Sequence, residues 1–313
     1  MGDVEWLARG AVATAEQGKG MRTRVNLLDT LIDCVDAAQA VAQIDAFVAS
    51  KRPHHVVTAN VDFLRLASQD AGFQGIVNDA DLVLADGMPL VWASRRRATP
   101  LPGRVTGVDM ILACAQLAAK RGYGIFLLGA APGVAYDTAE VLQQRFPGLR
   151  IVGTYSPTNA ETADHDDACV RMVRAARPDM LFVAFGAPKQ EHWIRAHQAS
   201  LNVPMCMGVG GSFDMLAGNV RRAPVWIQRH GLEWLYRLAQ EPRRLWKRYI
   251  VHDLPVFARL MLQSRDATAE PQPASRPRLF EDALAEAAYR EPTRLGEPSA
   301  KRSEMPMGAG RSA

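Results

Sequence analysis

The sequence predicts an α/β protein: a mostly parallel, Rossmann-like sheet with helices on both faces, followed by a basic helical appendage and a disordered tail. Three observations predict it. Short apolar runs alternate with segments of helical apolar spacing from residue 24 onward, which is the order of a parallel sheet crossed by helices. Nearly every short run ends in a loop rich in Gly, Asn, Asp or Pro, as strands do where an open sheet binds its ligands. The charge is also unevenly distributed: residues 221–264 hold nine basic and three acidic side chains, whereas residues 1–220 hold 20 and 22.

The elements follow in order. Val25–Leu28 reads as a short strand and Val35–Ala49 as a helix. His54–Thr58 is a strand running into Asn60, with helical text to Asp70 and again over Phe73–Asn78. Leu82–Ala85 is a buried strand that stops at Asp86-Gly87, and Met88–Ala98 and Asp109–Arg121 are helices. Gly124–Leu128 runs into Gly129-Ala-Ala-Pro-Gly133, and a helix follows to Arg145. Ile151–Thr154, Met180–Phe185 and Val203–Val209 complete the strands, with a helix at Thr162–Ala176 and another that resumes after the loop Gly186–Glu191 and runs to Gln198. Pro224, Pro242 and Pro255 divide the basic segment into three short helical stretches, since proline suits a helix start better than its interior. The expected organisation is a flexible N-terminus (1–23), an α/β catalytic domain (24–220), the appendage (221–264) and a disordered tail (265–313), which carries six prolines in 49 residues.

Composition excludes several classes. Four scattered cysteines without CxxC spacing suit a reducing cytoplasm and suggest neither a zinc site nor a disulfide framework. No run approaches the length of a transmembrane helix, and the opening MGDVEWLARG lacks the order of a signal peptide. Trp6 stands where a myristoylation motif needs Ser or Thr. Membrane contact is therefore expected to be peripheral.

Candidate chemistry sits at the strand ends. Gly129 to Gly133 opens a helix, where backbone N–H groups favour a phosphate, although Ala131 breaks GxGxxG and argues against a dehydrogenase. Asp86 ends a strand at a Gly-supported turn, as a general base would; the plain alternative is a cap for the helix at Met88. Thr58 and Asn60 could reach the same crevice or cap the helix near Asp62. The triplets Asp79-Ala-Asp81 and Asp164-His-Asp166 are too short and too poorly placed to argue for a metal, and His54-His55 reads as a surface pair. Arginines interleaved with tryptophans over 221–262 suit an anionic membrane surface. A nucleotide- or nucleic-acid-binding regulatory protein is the alternative, against which stands the lack of any recognisable module.

Taken together, these loops resemble the WecG/TagA/CpsF glycosyltransferases (family 26). The text that carries the resemblance is Thr58-Ala-Asn60-Val-Asp62, Ala85-Asp86-Gly87-Met-Pro, Arg104-Val-Thr-Gly107, Leu127-Leu-Gly129-Ala-Ala-Pro-Gly133 and Phe185-Gly-Ala-Pro-Lys-Gln190-Glu191. It continues with Gly208-Val-Gly210-Gly-Ser-Phe-Asp214, Gly218-Asn-Val-Arg-Arg222-Ala-Pro224, Gly231-Leu-Glu233-Trp234-Leu-Tyr-Arg237 and Glu241-Pro-Arg-Arg244, spanning roughly residues 24–262 in order. The resemblance implies inverting, metal-independent transfer of a sugar from a UDP-sugar to a polyprenyl-diphosphate-linked acceptor on the cytoplasmic face of the membrane, with no nucleic acid and no cofactor. N-acetylmannosamine, its uronic acid and glucose are the donor sugars it suggests. It implies Asp86 as base, Thr58 and Asn60 in the donor and catalytic pocket, and Arg104, Gln190 and Asp214 as nucleotide-sugar contacts. Gly129, Gly133, Gly210 and Gly211 would shape the backbone there. Arg237 and Arg244, then Lys247 and Arg248, would meet diphosphate and membrane.

Overall fold

The computed structural model describes residues 22–157 and 163–262, which lie within one compact unit, Met1–Ser275. Eight strands occur among them: β1 (Arg24–Leu27), β2 (Thr30–Asp33), β3 (His54–Ala59), β4 (Leu82–Ala85), β5 (Gly124–Gly129), β6 (Arg150–Tyr155), β7 (Met180–Ala184) and β8 (Met205–Gly208). β1 and β2 form a separate antiparallel hairpin. The other six form one sheet in the order β4-β3-β8-β7-β5-β6, with every neighbouring pair parallel.

Helices cover both faces, so the inner strands β5, β7 and β8 are buried along their whole length and read as unbroken apolar runs rather than alternating ones. The core divides accordingly. Val56, Leu84, Leu127 and Phe182 face the helices Ala37–Ser50 and Gly107–Arg121, while Val57, Val83 and Phe73 pack on the opposite side. Only the edge strand β6 is exposed or half-buried throughout.

The other edge strand, β4, is finished by the hairpin. The Val83 N–H donates to Asp33 Oδ2 at 2.7 Å, so an edge donor that could pair with a foreign strand is satisfied internally. Asp33 is itself buried and accepts from both Arg22 and Arg24, whose guanidinium groups also bond the carbonyls of Asn78 and Ala80. Asp33→Ala would deprive two arginines of their carboxylate partner and the Val83 amide of its acceptor. Stability should fall by about 3–5 kcal/mol, read by urea denaturation. A loss below about 1 kcal/mol, the worth of a surface ion pair, would show the cluster to be ornamental.

The structure departs from the sequence reading in several places. β2 is not anticipated: the turn joining it to β1 places Leu28 and Asp29 at φ +51° and +62°, without the Asn-Gly that usually announces such a turn. Asn26 Oδ1 accepts the Asp29 N–H at 2.8 Å and supports the turn locally. The helix from Met88 ends at Ser94 rather than Ala98, because the N–H groups of Arg96 and Arg97 bond three residues back in a tightened turn. His54 and His55 are not a surface pair. His55 is buried, which pushes its imidazole down to about 4, and His54 stacks on Phe47 and pairs with Asp81.

Pro255 does not divide the C-terminal segment. From Pro242 the chain stays helical to Leu262, through Pro242–Trp246, a π-helical stretch Lys247–Asp253, and Leu254–Leu262. The Leu254 N–H bonds five residues back to Tyr249, and this wider register admits Pro255, which has no N–H to offer, into the first turn of the next helix. Shorter helices precede it at Val225–Arg229 and Glu233–Gln240, separated by Gly231 at φ +73°.

Candidate active site

From β3 the chain passes outward to β4, and from β5 outward to β6 on the other side; β7 and β8 fill the space between. A crevice belongs where such connections diverge. A cleft of about 450 Å³ lies there, floored by the carboxyl ends of β3, β4, β7 and β8. Its remaining wall comes from the C-terminal segment, through Gln228, Glu233, Trp234, Arg237, Arg248 and Phe257.

Asp86 is the first residue after β4, and its N–H donates to the Ala59 carbonyl at 2.7 Å, which fixes it beside the end of β3. It does not cap the following helix: Gly87 occupies the cap position and no side chain bonds the helix start. Its half-buried carboxylate accepts the Gly107 N–H instead. Burial pushes the carboxyl up to about 6, with the Glu233 charge adding to the rise and Arg104 opposing it.

Arg104 reaches across the cleft. Its Nη1 donates to Glu233 Oε2 at 2.6 Å and its Nη2 to Gln228 Oε1 at 2.8 Å, so one fork joins the loop before the helix Gly107–Arg121 to the C-terminal segment. Thr58 lines the cleft and donates its hydroxyl proton to the Gly208 carbonyl at 2.9 Å. Asn60 lines it while accepting the Phe63 N–H, so the capping role expected as the plain alternative is filled.

Gln190 ties two loops together. Its Oε1 accepts the N–H groups of Gly186 and Gly210, and its Nε2 donates to Glu191 Oε1 at 2.7 Å. A Cβ at position 208 would lie 2.5 Å from Glu191 Oε1 and 2.6 Å from Gln190 Nε2, which explains the glycine there. Glu191 is fully buried, and burial pushes its carboxyl up to about 8, so it is neutral at pH 7.

An acid whose folded pKa exceeds its unfolded value keeps its proton longer when folded. Stability therefore falls as pH rises from about 4.5, the ordinary value, to about 8. Glu191→Gln keeps an acceptor for Gln190 Nε2 and removes the titration. Its unfolding free energy should lose that downward slope, a change on the order of a few kcal/mol across the window. Denaturant titrations at pH 5 and pH 8 decide it, and a variant retaining the wild-type slope would contradict the assignment.

Residues 25–270 match the glycosyl transferase WecG/TagA/CpsF family. The chain belongs to that family. A Staphylococcus aureus (strain MW2) protein named N-acetylglucosaminyldiphosphoundecaprenol N-acetyl-beta-D-mannosaminyltransferase is 30% identical over 236 residues, covering 75% of this chain and 90% of its own. A Bacillus spizizenii (strain ATCC 23059 / NRRL B-14472 / W23) protein of the same name is 34% identical over 219 residues, covering 69% and 81%. The protein is thus a glycosyltransferase.

In this transferase, one cleft gathers Asp86, Thr58, Asn60, Arg104, Gln190, Gly210, Gly211, Arg237 and Arg248. Gly129, Gly133, Asp214 and Lys247 do not line it. Gly129 (φ +103°) ends β5 where a Cβ would lie 2.8 Å from the Ala184 backbone, and Gly133 (φ +88°) precedes the helix Val134–Arg145. Both are explained by backbone geometry alone. Asp214 is half-buried in the first turn of Ser212–Leu216, and Lys247 is exposed over the Trp246 ring. The side chains of Arg244, Asp164 and Asp166 lie outside the described residues. Asp79 and Asp81 precede β4, at the end of the strand away from the cleft.

Sequence reasoning missed two acidic members of the cleft, Glu233 and Asp253. Glu233 stood inside the quoted Gly231-Leu-Glu233-Trp234 text without a role, and nothing in the sequence singled out Asp253. Arg248 joins Asp62 at 3.2 Å and Asp253 at 3.8 Å, which seats the π-helical stretch on the helix Val61–Gln69.

Proposed function

We propose that this transferase moves a sugar from a UDP-sugar to a hydroxyl of a polyprenyl-diphosphate-linked acceptor, with inversion and without a metal, in cell-envelope glycan assembly. The names of the two relatives favour N-acetylmannosamine as the sugar and a diphosphoundecaprenol-linked N-acetylglucosamine as the acceptor. The observation that carries the reading is Asp86, with its raised pKa, sharing one cleft with Arg104, Arg237 and Arg248 at the carboxyl ends of parallel strands.

The chemistry follows from the groups present. The acceptor hydroxyl oxygen bonds to the anomeric carbon from one face as the carbon–oxygen bond to UDP breaks on the other. The hydroxyl proton passes to the Asp86 carboxylate, and UDP departs with the bonding electrons. Cationic side chains aimed at the departing diphosphate stabilise the charge that develops there.

Peripheral binding at the cytoplasmic face of the membrane belongs to the same proposal. Trp226, Leu235, Trp246, Ile250, Val251 and Leu254 of the basic segment are exposed, and apolar groups among cations suit an anionic lipid surface. No helix among the described residues is long and apolar enough to cross a membrane.

The test is a panel of UDP-sugars offered with a synthetic lipid-diphosphate N-acetylglucosamine acceptor, with the product's linkage determined by NMR. Transfer with inverted anomeric configuration, undiminished by EDTA, is expected. Dependence on added Mg²⁺ would overturn the metal-independent part. No transfer from any UDP-sugar, combined with salt-sensitive retention of DNA or RNA, would overturn the whole reading.

A further inference from the structure

Four carboxylates line the cleft, Asp62, Asp86, Glu233 and Asp253, and the proposed reaction uses only Asp86. Glu233 opens the helix Glu233–Gln240, lines the cleft and keeps 19% of its side chain exposed. Its two oxygens face two different arginines. Oε2 accepts from Arg104 Nη1 at 2.6 Å, and Oε1 lies 3.8 Å from Arg222 Nε. Arg222 in turn donates to Asp109 Oδ1 at 2.6 Å, and Asp109 Oδ2 accepts the Thr106 hydroxyl proton at 2.7 Å. Thr106 and Asp109 flank Gly107, whose N–H meets the Asp86 carboxylate.

The circuit therefore leaves the C-terminal segment at Glu233 and returns to the residues that hold Asp86. The charged groups facing Asp86 are Glu233 and Asp109, which disfavour its ionisation, and Arg104, which favours it. Of these, Glu233 alone comes from the C-terminal segment. Two arginines, Arg104 and Arg222, lie against it.

We propose that Glu233 is a positioning residue of the transfer reaction: it clamps Arg104 to the C-terminal segment and sets a negative charge beside Asp86, making the base competent when that segment is seated. This rests on the reading of Asp86 as the base. It differs from a purely architectural role because Arg104 could be held by any acceptor, whereas a negative charge adds to the proton affinity that burial already gives the neighbouring carboxylate and a neutral acceptor does not.

Glu233→Gln keeps the shape and an acceptor for Arg104 and removes the charge; Glu233→Asp keeps the charge and shortens the reach. Two measurements separate the roles. In the full chain with ¹³C-labelled aspartate, the Asp86 carboxyl resonance, assigned by its absence in Asp86→Asn, should titrate at lower pH in Glu233→Gln and near its wild-type position in Glu233→Asp. In the transfer assay, the acid limb of kcat/KM should move to lower pH in Glu233→Gln while activity at pH 7.5 falls about tenfold, as a weaker base predicts.

An unmoved Asp86 titration would overturn the inference, as would a uniform loss of rate with an unshifted profile. The resonance needs no turnover, so an inactive wild-type chain would sink the transferase reading and leave the effect of Glu233 on Asp86 still measured. If Glu233→Gln fails to fold, Glu233→Ala, which also removes the charge and leaves Arg222 paired with Asp109, gives the same two readouts.

Discussion

Asp86→Asn should lower kcat by about 10²–10⁴, the range for losing a positioned general base, while leaving UDP affinity unchanged. The carboxylate sits at the end of β4, held by the Asp86 N–H to Ala59 and by the Gly107 N–H, and an asparagine oxygen can keep the second of these. Folding should not suffer. Asp86 caps no helix, and a carboxyl pushed up to about 6 by burial destabilises the folded state at neutral pH relative to its unfolded value. The sign follows from linkage: a raised acid pKa means that stability falls as pH climbs through the window between the ordinary value of 3.8 and about 6. Removing the titration should leave the variant as stable as wild type at pH 7, or more so. An inactive but more stable enzyme is the mark of a functional residue held in an unfavourable place. Wild-type kcat should itself fall below pH 6 as the base takes up its proton. Steady-state kinetics paired with thermal melts decide the case; near-normal turnover by Asp86→Asn would falsify the assignment.

The sheet was legible because its strands advertise themselves. A strand buried on both faces is a short apolar run, and β4 is read correctly to the residue at Leu82–Ala85. β2 was not legible, since its turn uses Leu28 and Asp29 at positive φ where sequence rules look for glycine or asparagine. Pro255 misled for the opposite reason: the rule that proline ends a helix assumes α register, and the chain enters the proline through π register. At the site, residues immediately following strands could be read one by one. Their partners could not. That Arg104 meets Glu233 across 129 positions, or that Gln190 bridges the loops after β7 and β8, is a property of topology rather than of local pattern. The charge asymmetry pointed to a segment that lines the cleft, and the segment's acidic residues Glu233 and Asp253 line it beside the arginines that drew attention to it.

Arg237→Ala should cost about 10²–10³ in kcat, the loss seen when one donor aimed at developing charge is removed. Arg237 lies one helical turn after Glu233, so both project to the same face and line the cleft together. Arg104 and Arg248 are already matched to carboxylates, at 2.6 and 3.2 Å. Arg237 pairs with no carboxylate among the described residues. Its guanidinium Nη2 stands 3.9 Å from where a Cβ of Gly211 would be, over the loop after β8, and its buried Nε meets no acceptor among the described residues. A buried donor left unmatched is costly, and a phosphate oxygen is the kind of acceptor that would complete it. Because the charge on the departing diphosphate is larger in the transition state than in the bound donor, the loss should fall on kcat more than on KM. Arg237→Lys should recover part of it, since a point charge replaces the field of the guanidinium but not its fork. Arg259→Ala, on an exposed position of the helix Leu254–Leu262 that does not line the cleft, serves as the control and should leave kcat unaltered. If Arg237→Ala instead matched that control in kcat, leaving-group neutralisation would have to be assigned to Arg104 or Arg248, each of which must then exchange a carboxylate partner for the diphosphate during turnover.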